Sequence, residues 1–271
     1  SVTFYEGNPG EEKARWTYNY NFNGDTLKTV THFNYDTSDR LTDSVTYRIK
    51  LKADVTATVA PDGKTPVTKE LLYQIVDASG NLMVLPTYLA ADKADQGFTL
   101  GTGAKLMAFT LTLRSKSFYE GPEGEERVKT TFNYNFDGDK VKSYTIFDYN
   151  AATDALDRST TYRANTPAMD LTLRTEKLLG DKTRSITYYA GNPGEEQAKT
   201  TFNYNFNGDT IKSYTIFDYG TQDELLKSVS YRVMSVITAP GILTAPRGGD
   251  FKKSVTFYEG NPGEEKARWT Y

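Results

Sequence analysis

The sequence predicts an all-β protein made of tandem units, each an antiparallel β-meander of about 70 residues, stacked into an extended sheet, shell or solenoid-like array. Three observations carry that expectation. One motif occurs four times, as FYEGNPGEE from Phe4, FYEGPEGEE from Phe118, YYAGNPGEE from Tyr188 and FYEGNPGEE from Phe257. Each of the first three is followed by a run in which aromatic and polar residues alternate, ending on Asn-Gly-Asp or Asp-Gly-Asp. Finally, residues 1–18 are identical to residues 254–271.

The second aromatic of the motif falls at Tyr5, Tyr119, Tyr189 and Tyr258, giving steps of 114, 70 and 69 residues. Two steps are one unit, and the first is a unit carrying about 45 extra residues. Each unit closes on a Tyr-Arg pair: Tyr47-Arg48, Tyr162-Arg163 and Tyr231-Arg232. The expected organisation is repeat unit 1 over 1–48, a β-rich lobe over 49–115, and repeat unit 2 with its spacer over 116–185. Repeat unit 3 with its spacer follows over 186–253, and 254–271 opens the next period. The duplicated 18 residues define a higher period of 253 residues, so the chain reads as an excerpt from a longer periodic polypeptide. A simple duplication of one end is the alternative.

Within a unit the elements follow from local pattern. Val2 and Phe4 begin a first strand that breaks at Gly7-Asn8-Pro9-Gly10. Proline fixes φ and glycine accepts positive φ, so this is a loop, and Pro193-Gly194 repeats it. A second strand puts Trp16, Tyr18, Tyr20 and Phe22 on one face. The same face recurs as Phe132, Tyr134, Phe136 and as Phe202, Tyr204, Phe206. Gly24, Gly138 and Gly208 then sit in Asn-Gly or Asp-Gly pairs, the sequence signature of a type I′ hairpin turn with both central residues at positive φ. A third strand runs to Tyr35 and a turn follows over Asp36-Thr37-Ser38-Asp39. The fourth strand is long, alternating from Val45 to Val59. In the lobe, Pro61-Asp62-Gly63 and 78–81 are turn signals. Residues 71–76 and 107–113 read as buried strands, and a short helix over 89–95 is an alternative element.

The segments Tyr20-Asn21-Phe22-Asn23-Gly24-Asp25-Thr26-Leu27 and Tyr35-Asp36-Thr37-Ser38-Asp39-Arg40-Leu41 resemble the tyrosine-aspartate (YD) repeats of Rhs and teneurin-type proteins. The resemblance covers about 20 residues of each unit. It implies large, secreted or surface β-rich arrays whose strands wind into a continuous shell or spiral sheet, with no catalysis by the repeats. Asp39 stands where that family has glycine, and Asn150 and Gly220 replace the aspartate of its second pair.

Chemistry is sparse. The chain has no cysteine and a single histidine, His32, which excludes disulfides, thiolate metal sites and a histidine-rich zinc site. The 32 basic and 35 acidic residues leave no basic footprint for nucleic acid. No apolar run approaches a membrane span. Asp25, Asp137, Asp139 and Asp209 are calcium candidates, although the cation wants six to eight oxygens and the turns offer one or two carboxylates each. The Glu11-Glu12, Glu125-Glu126 and Glu195-Glu196 pairs read as solvated. The aromatic face is either sheet core or a platform for sugar rings. His32 aligns with Ile146 and Ile216, so no repeated site depends on it.

No nucleophile, base and orienter come together, and no cofactor motif is present, so the expectation is not an enzyme and no cofactor. The leading expectation is a structural protein of the cell exterior or surface, building a fibre, tube or stalk, whose partner is itself, covalently continuous or head-to-tail. The alternative is a surface adhesin whose repeats are a spacer and whose lobe or aromatic face binds glycan or protein.

Overall fold

A computed structural model describes residues 1–24, 26–51, 71–76, 105–165 and 172–271. The expected turns at 61–63 and 78–81, the helix over 89–95, and the strand continuation from 52 to 59 lie outside these residues. Among the described residues there is no helix; the chain is all-β.

Repeat 1 gives β1 (Val2–Glu6), β2 (Lys13–Tyr20), β3 (Leu27–Tyr35) and β4 (Leu41–Leu51). The lobe gives β5 (Leu71–Val76), which pairs antiparallel with β6 (Lys105–Glu120). Repeat 2 continues with β7 (Arg127–Tyr134), β8 (Val141–Tyr149) and β9 (Leu156–Arg163). Repeat 3 gives β10 (Lys182–Ala190), β11 (Gln197–Tyr204), β12 (Ile211–Tyr219) and β13 (Leu225–Arg232). The opening of the next period gives β14 (Phe251–Glu259) and β15 (Lys266–Thr270). Apart from β5, the strands neighbour one another in chain order, the meander that the repeats predict. Both strands expected in the lobe, 71–76 and 107–113, are strands.

The chain divides into two compact units. The first comprises Ser1–Tyr35, Asp43–Lys116 and Asn135–Asp139; the second comprises Asp36–Thr42, Ser117–Tyr134 and Lys140–Tyr271. In the second, the apolar face is an aromatic ladder running across the strands. Tyr188, Phe202, Tyr214 and Tyr231 stand at centroid separations of 6.1, 6.0 and 5.2 Å. Phe118, Phe132, Tyr144 and Tyr162 repeat the ladder at 6.0, 5.7 and 5.2 Å. Cross-strand aromatic pairs of this kind stabilise a sheet beyond the area they bury. In the first unit Tyr18, Leu27 and Val30 form the matching cluster, with Trp16 and Tyr47 packed on it.

The opposite face carries threonine pairs that bridge neighbouring strands. Thr3 meets Thr17 at 3.0 Å, Thr31 meets Thr46 at 2.9 Å, Thr145 meets Thr161 at 2.9 Å and Thr187 meets Thr201 at 2.9 Å. A bulge recurs at the same point of repeats 1 and 3 and of the next period's opening, between Phe4 and Tyr5, Tyr188 and Tyr189, and Phe257 and Tyr258. Each bulge shifts the alternation by one residue, so the two adjacent aromatics of the motif need not share a role.

Candidate functional site

The turns come first, because the sequence places its candidate residues there. Pro9 and Gly10 form the centre of a type II turn: Glu11 N donates to Asn8 O at 2.9 Å and Gly10 takes φ +87°. Asn192-Pro193-Gly194-Glu195 repeats it, with φ +83° at Gly194.

The Asn-Gly hairpins differ from the type I′ expectation. Gly208 N donates to Asn205 O at 3.1 Å and Gly208 alone takes positive φ, +73°, so the turn is type I followed by a left-handed glycine. Asn205 N donates to Thr210 O at 2.8 Å, closing a loop longer than two residues. The Asn205 side chain organises that loop, accepting from Asp209 N at 3.2 Å and donating to Asp209 Oδ1 at 2.6 Å. Asn135 and Asp139 do the same.

Of the calcium candidates, Asp209 and Asp139 thus spend their carboxylates on their own turns. The asparagine hydrogen bond lowers the Asp209 pKa. Asp137 lies in the exposed turn, and Asp25 is outside the described residues. Among the described residues no three acidic or histidine side chains group to hold a metal.

The aromatic candidates separate. Tyr18, Phe132, Tyr134 and Phe202 are buried, and Trp16, Tyr20 and Tyr204 are half-buried in the same clusters. Phe22, Phe136 and Phe206 lie past the strand ends, in the turns, and are 104%, 67% and 82% exposed. The alternation therefore does not carry them onto the sheet face. Phe136 and Phe206 instead lie under arginines that close repeats. The Arg48 guanidinium is 5.9 Å from the Phe136 ring and donates to Asn135 O at 2.9 Å. The Arg163 guanidinium is 5.7 Å from the Phe206 ring and donates to Asn205 O at 3.1 Å.

The second glutamate of each pair is not simply solvated. Glu196 Oε2 accepts from Gly194 N in its own loop at 3.0 Å, while Oε1 accepts from Leu156 N of the preceding repeat at 2.9 Å. Glu126 and Glu265 hold Leu41 N and Leu225 N in the same way, at 2.8 and 2.9 Å. Sequence spacing shows that these glutamates recur; it does not show that they face a strand-start N–H 40 residues upstream for Glu196 and Glu265, and 85 for Glu126.

Four residues that the sequence reading passed over, a threonine and a tyrosine in each of repeats 2 and 3, fix the spacers. Thr130, fully buried, donates to Arg174 O at 2.6 Å and accepts from Arg174 N at 3.1 Å. Thr200 accepts from Leu243 N at 2.9 Å. The hydroxyls of Tyr144 and Tyr214 accept from Leu178 N and Arg247 N, at 3.0 and 2.9 Å. Burial pushes both tyrosine pKa values up, despite these backbone donors. In repeat 1 the aligned positions are Trp16 and Val30, which cannot make these bonds, and repeat 1 is the one followed by the long lobe. The covariation of spacer length with Thr/Tyr against Trp/Val was the available signal.

Trp16 instead stacks on His32, centroids 3.9 Å apart and 18° from parallel. Burial, followed by the charge of Arg15, lowers the His32 pKa. The unfolded chain then binds a proton near pH 6.5 that the folded protein resists, so stability falls as pH drops through that value. The expected result is a falling urea midpoint between about pH 7 and 5.5, above the ordinary carboxylate range. His32→Ile, the residue of the other repeats, should flatten that slope.

Grooves lie between the loops and strands of the described residues. One, of about 660 Å³, lies between the loops at Pro122, Asp154 and Pro193. Its arginine, Arg127, is held by Asp154 at 2.7 Å and stacks 4.2 Å from the Tyr149 ring. Burial pushes the Tyr149 hydroxyl up to about 12. Another, of about 480 Å³, lies between β12, β13 and the spacer at Leu243. No helix among the described residues is long and apolar enough to cross a membrane.

No protein-family model matches this chain, and no curated protein matches it. A solved crystal structure, TcdB2-TccC3, aligns with 95% of this chain at 9% identity and a TM-score of 0.16. The chain spans 15% of that structure's length. An alignment of this quality carries no argument about fold or function.

Proposed function

We propose that this chain is a structural repeat protein that builds a long fibre, tube or stalk at the cell exterior or surface. The observation that supports this most is that one repeat is bonded to the next by contacts that recur. Glu196 takes Leu156 N and Glu265 takes Leu225 N, each about 40 residues upstream and in the preceding repeat. A bond that repeats from unit to unit has no built-in stop, which suits an array in which each unit leans on its neighbours. The resemblance of Tyr35-Asp36 through Leu41 to YD repeats agrees with this reading and is the ground for placing it outside the cell. In that turn Asp36 accepts from Ser38 N at 2.8 Å and pairs with Arg40 at 2.7 Å.

Electron microscopy of native, unfractionated material tests the reading. Uniform filaments or tubes with a constant axial repeat are the expected result. Short particles ending in a globular tip would replace it with the adhesin reading.

A further inference from the structure

We infer that the two ends of the strands in the second compact unit are complementary docking surfaces. The partner for the acidic groove at one end is the lysine-bearing end of a second copy of this chain, lying alongside the first. This inference rests on the array reading, because a single surface ion pair is weak and a periodic row of them is what holds two molecules together.

The meander keeps the two ends apart. The strands run antiparallel and neighbour one another in chain order, so the Pro-Gly loops and the turns after Tyr149 and Tyr219 all fall at one end, the loop end. The β11–β12 hairpin and the spacers fall at the other, the spacer end. Charge follows the same division. At the loop end, connections 121–126, 150–155, 191–196 and 220–224 hold eight acidic residues and no basic one. The bases that flank them are matched locally, Arg127 by Asp154 at 2.7 Å and Arg158 by Asp148 at 2.8 Å.

At the spacer end the sign reverses. The three residues of β8, β9, β10 and β12 nearest that end include Lys142, Arg163, Lys182, Arg184 and Lys212 and no acidic residue. Asp209, the acid of the β11–β12 hairpin, is occupied by Asn205 and Thr210 of its own turn. Lys142, Lys182, Arg184 and Lys212 are exposed, and none forms an ion pair among the described residues. Surfaces that intersperse the two signs set up no such field; separation of the signs by strand end does, and it steers unlike ends together.

The groove of about 660 Å³ gives the acidic end a seat, walled by the loops at Pro122, Asp154 and Pro193. Asp154 already neutralises its arginine, and Glu125 on its wall is exposed and pairs with no base among the described residues. Glu125 recurs as Glu195 and Lys142 recurs as Lys212, both by a step of 70 residues. A repeat of four strands advances about 19 Å at the usual strand spacing. Acids and lysines belong to the same strands, so they share that period. Two copies that meet at one repeat therefore meet at the next, and no mismatch accumulates along the row.

Self-association of the full chain, read by light scattering across a concentration series, tests this. It is expected to weaken roughly tenfold or more as salt rises from about 0.01 M to about 0.15 M and the screening length falls from about 30 to about 8 Å. Lys142→Glu with Lys212→Glu should weaken it by a similar factor at low salt and leave the urea midpoint nearly unchanged. Glu125→Lys with Glu195→Lys should do the same. Mixed together, the two variants should associate again, because the reversed ends match. A chain that stays monomeric at low salt, association indifferent to salt or to these reversals, or a mixture that does not recover overturns the inference. A chain that binds dextran sulfate through Lys142 and Lys212 but does not bind itself overturns it as well, and assigns the spacer end to an anionic polymer. Electron microscopy at low salt separates it from the reading on which it rests. Single filaments that never lie side by side sink the lateral pairing and leave the array standing; particles that pair laterally yet build no filament keep the pairing and remove the array.

Discussion

Phe202→Ala is expected to lower the unfolding free energy by about 3–5 kcal/mol, whereas Phe206→Ala, four residues on in the same aromatic run, should cost less than about 1 kcal/mol. Phe202 has no exposed surface and sits in the cluster with Ile211, Tyr214 and Tyr231. Tyr188 meets its ring edge-on and Tyr214 lies tilted against it. Removing the ring leaves a cavity among residues that cross-strand pairing holds in place, so the site cannot collapse to fill it. Phe206 is 82% exposed, and what it loses is the contact beneath Arg163. Urea unfolding followed by far-ultraviolet circular dichroism, with an unchanged slope, separates the two. Equal losses would mean that the apolar face continues through the turn, as alternation alone implies.

That pair also shows what was legible in the sequence. Strands, their order and the repeat are written in short-range signals: the two-residue alternation of β2, β7 and β11, and the glycines that end each run. The buried half of the aromatic set follows from the same period. What alternation does not report is where a strand stops. Asn21, Asn135 and Asn205 end it, because an asparagine side chain can bond the backbone a few residues on and open a turn. Asn-Gly suits both a two-residue type I′ turn and a type I turn ending in a left-handed glycine. The choice between them is made by the Asn205 N to Thr210 O bond, which closes the longer loop.

The contacts between repeats were the least legible. Glu196, Arg163, Thr130 and Tyr144 each meet a backbone group or ring that lies 34 to 44 residues away. A backbone N–H has no residue identity, so no pattern of side chains marks it as a partner. Only the comparison of repeats offers a trace. Trp16, Val30 and His32 replace the Thr, Tyr and Ile of the other two repeats together, at the place where the spacer changes length. The stack of Trp16 on His32 is the physical reason they change as a set.

Gly208→Ala should cost about 3–5 kcal/mol, and Gly24→Ala only about 1 kcal/mol, though both glycines hold the same turn position. Their φ values are nearly equal, +73° and +76°, so the left-handed strain imposed on alanine is common to both. Their surroundings differ. A Cβ at Gly208 would stand 2.5 Å from Thr183 N and 2.9 Å from Lys182 C, backbone atoms of β10 that cannot swing aside. A Cβ at Gly24 would meet none of the described residues within 4 Å. To admit alanine at 208 the turn must lift from β10, and the bond from Arg163 to Asn205 O breaks with it. A Cβ at Gly138 would stand 2.7 Å from Leu113 N of β6, so Gly138→Ala should behave as Gly208→Ala does. Urea midpoints of the three alanine variants decide the matter. A large cost at 138 and 208 with a small one at 24 means that the approach of a turn to the strand beside it holds one repeat on another. Equal costs would reduce all three glycines to turn chemistry and remove the turns from the bonding between repeats.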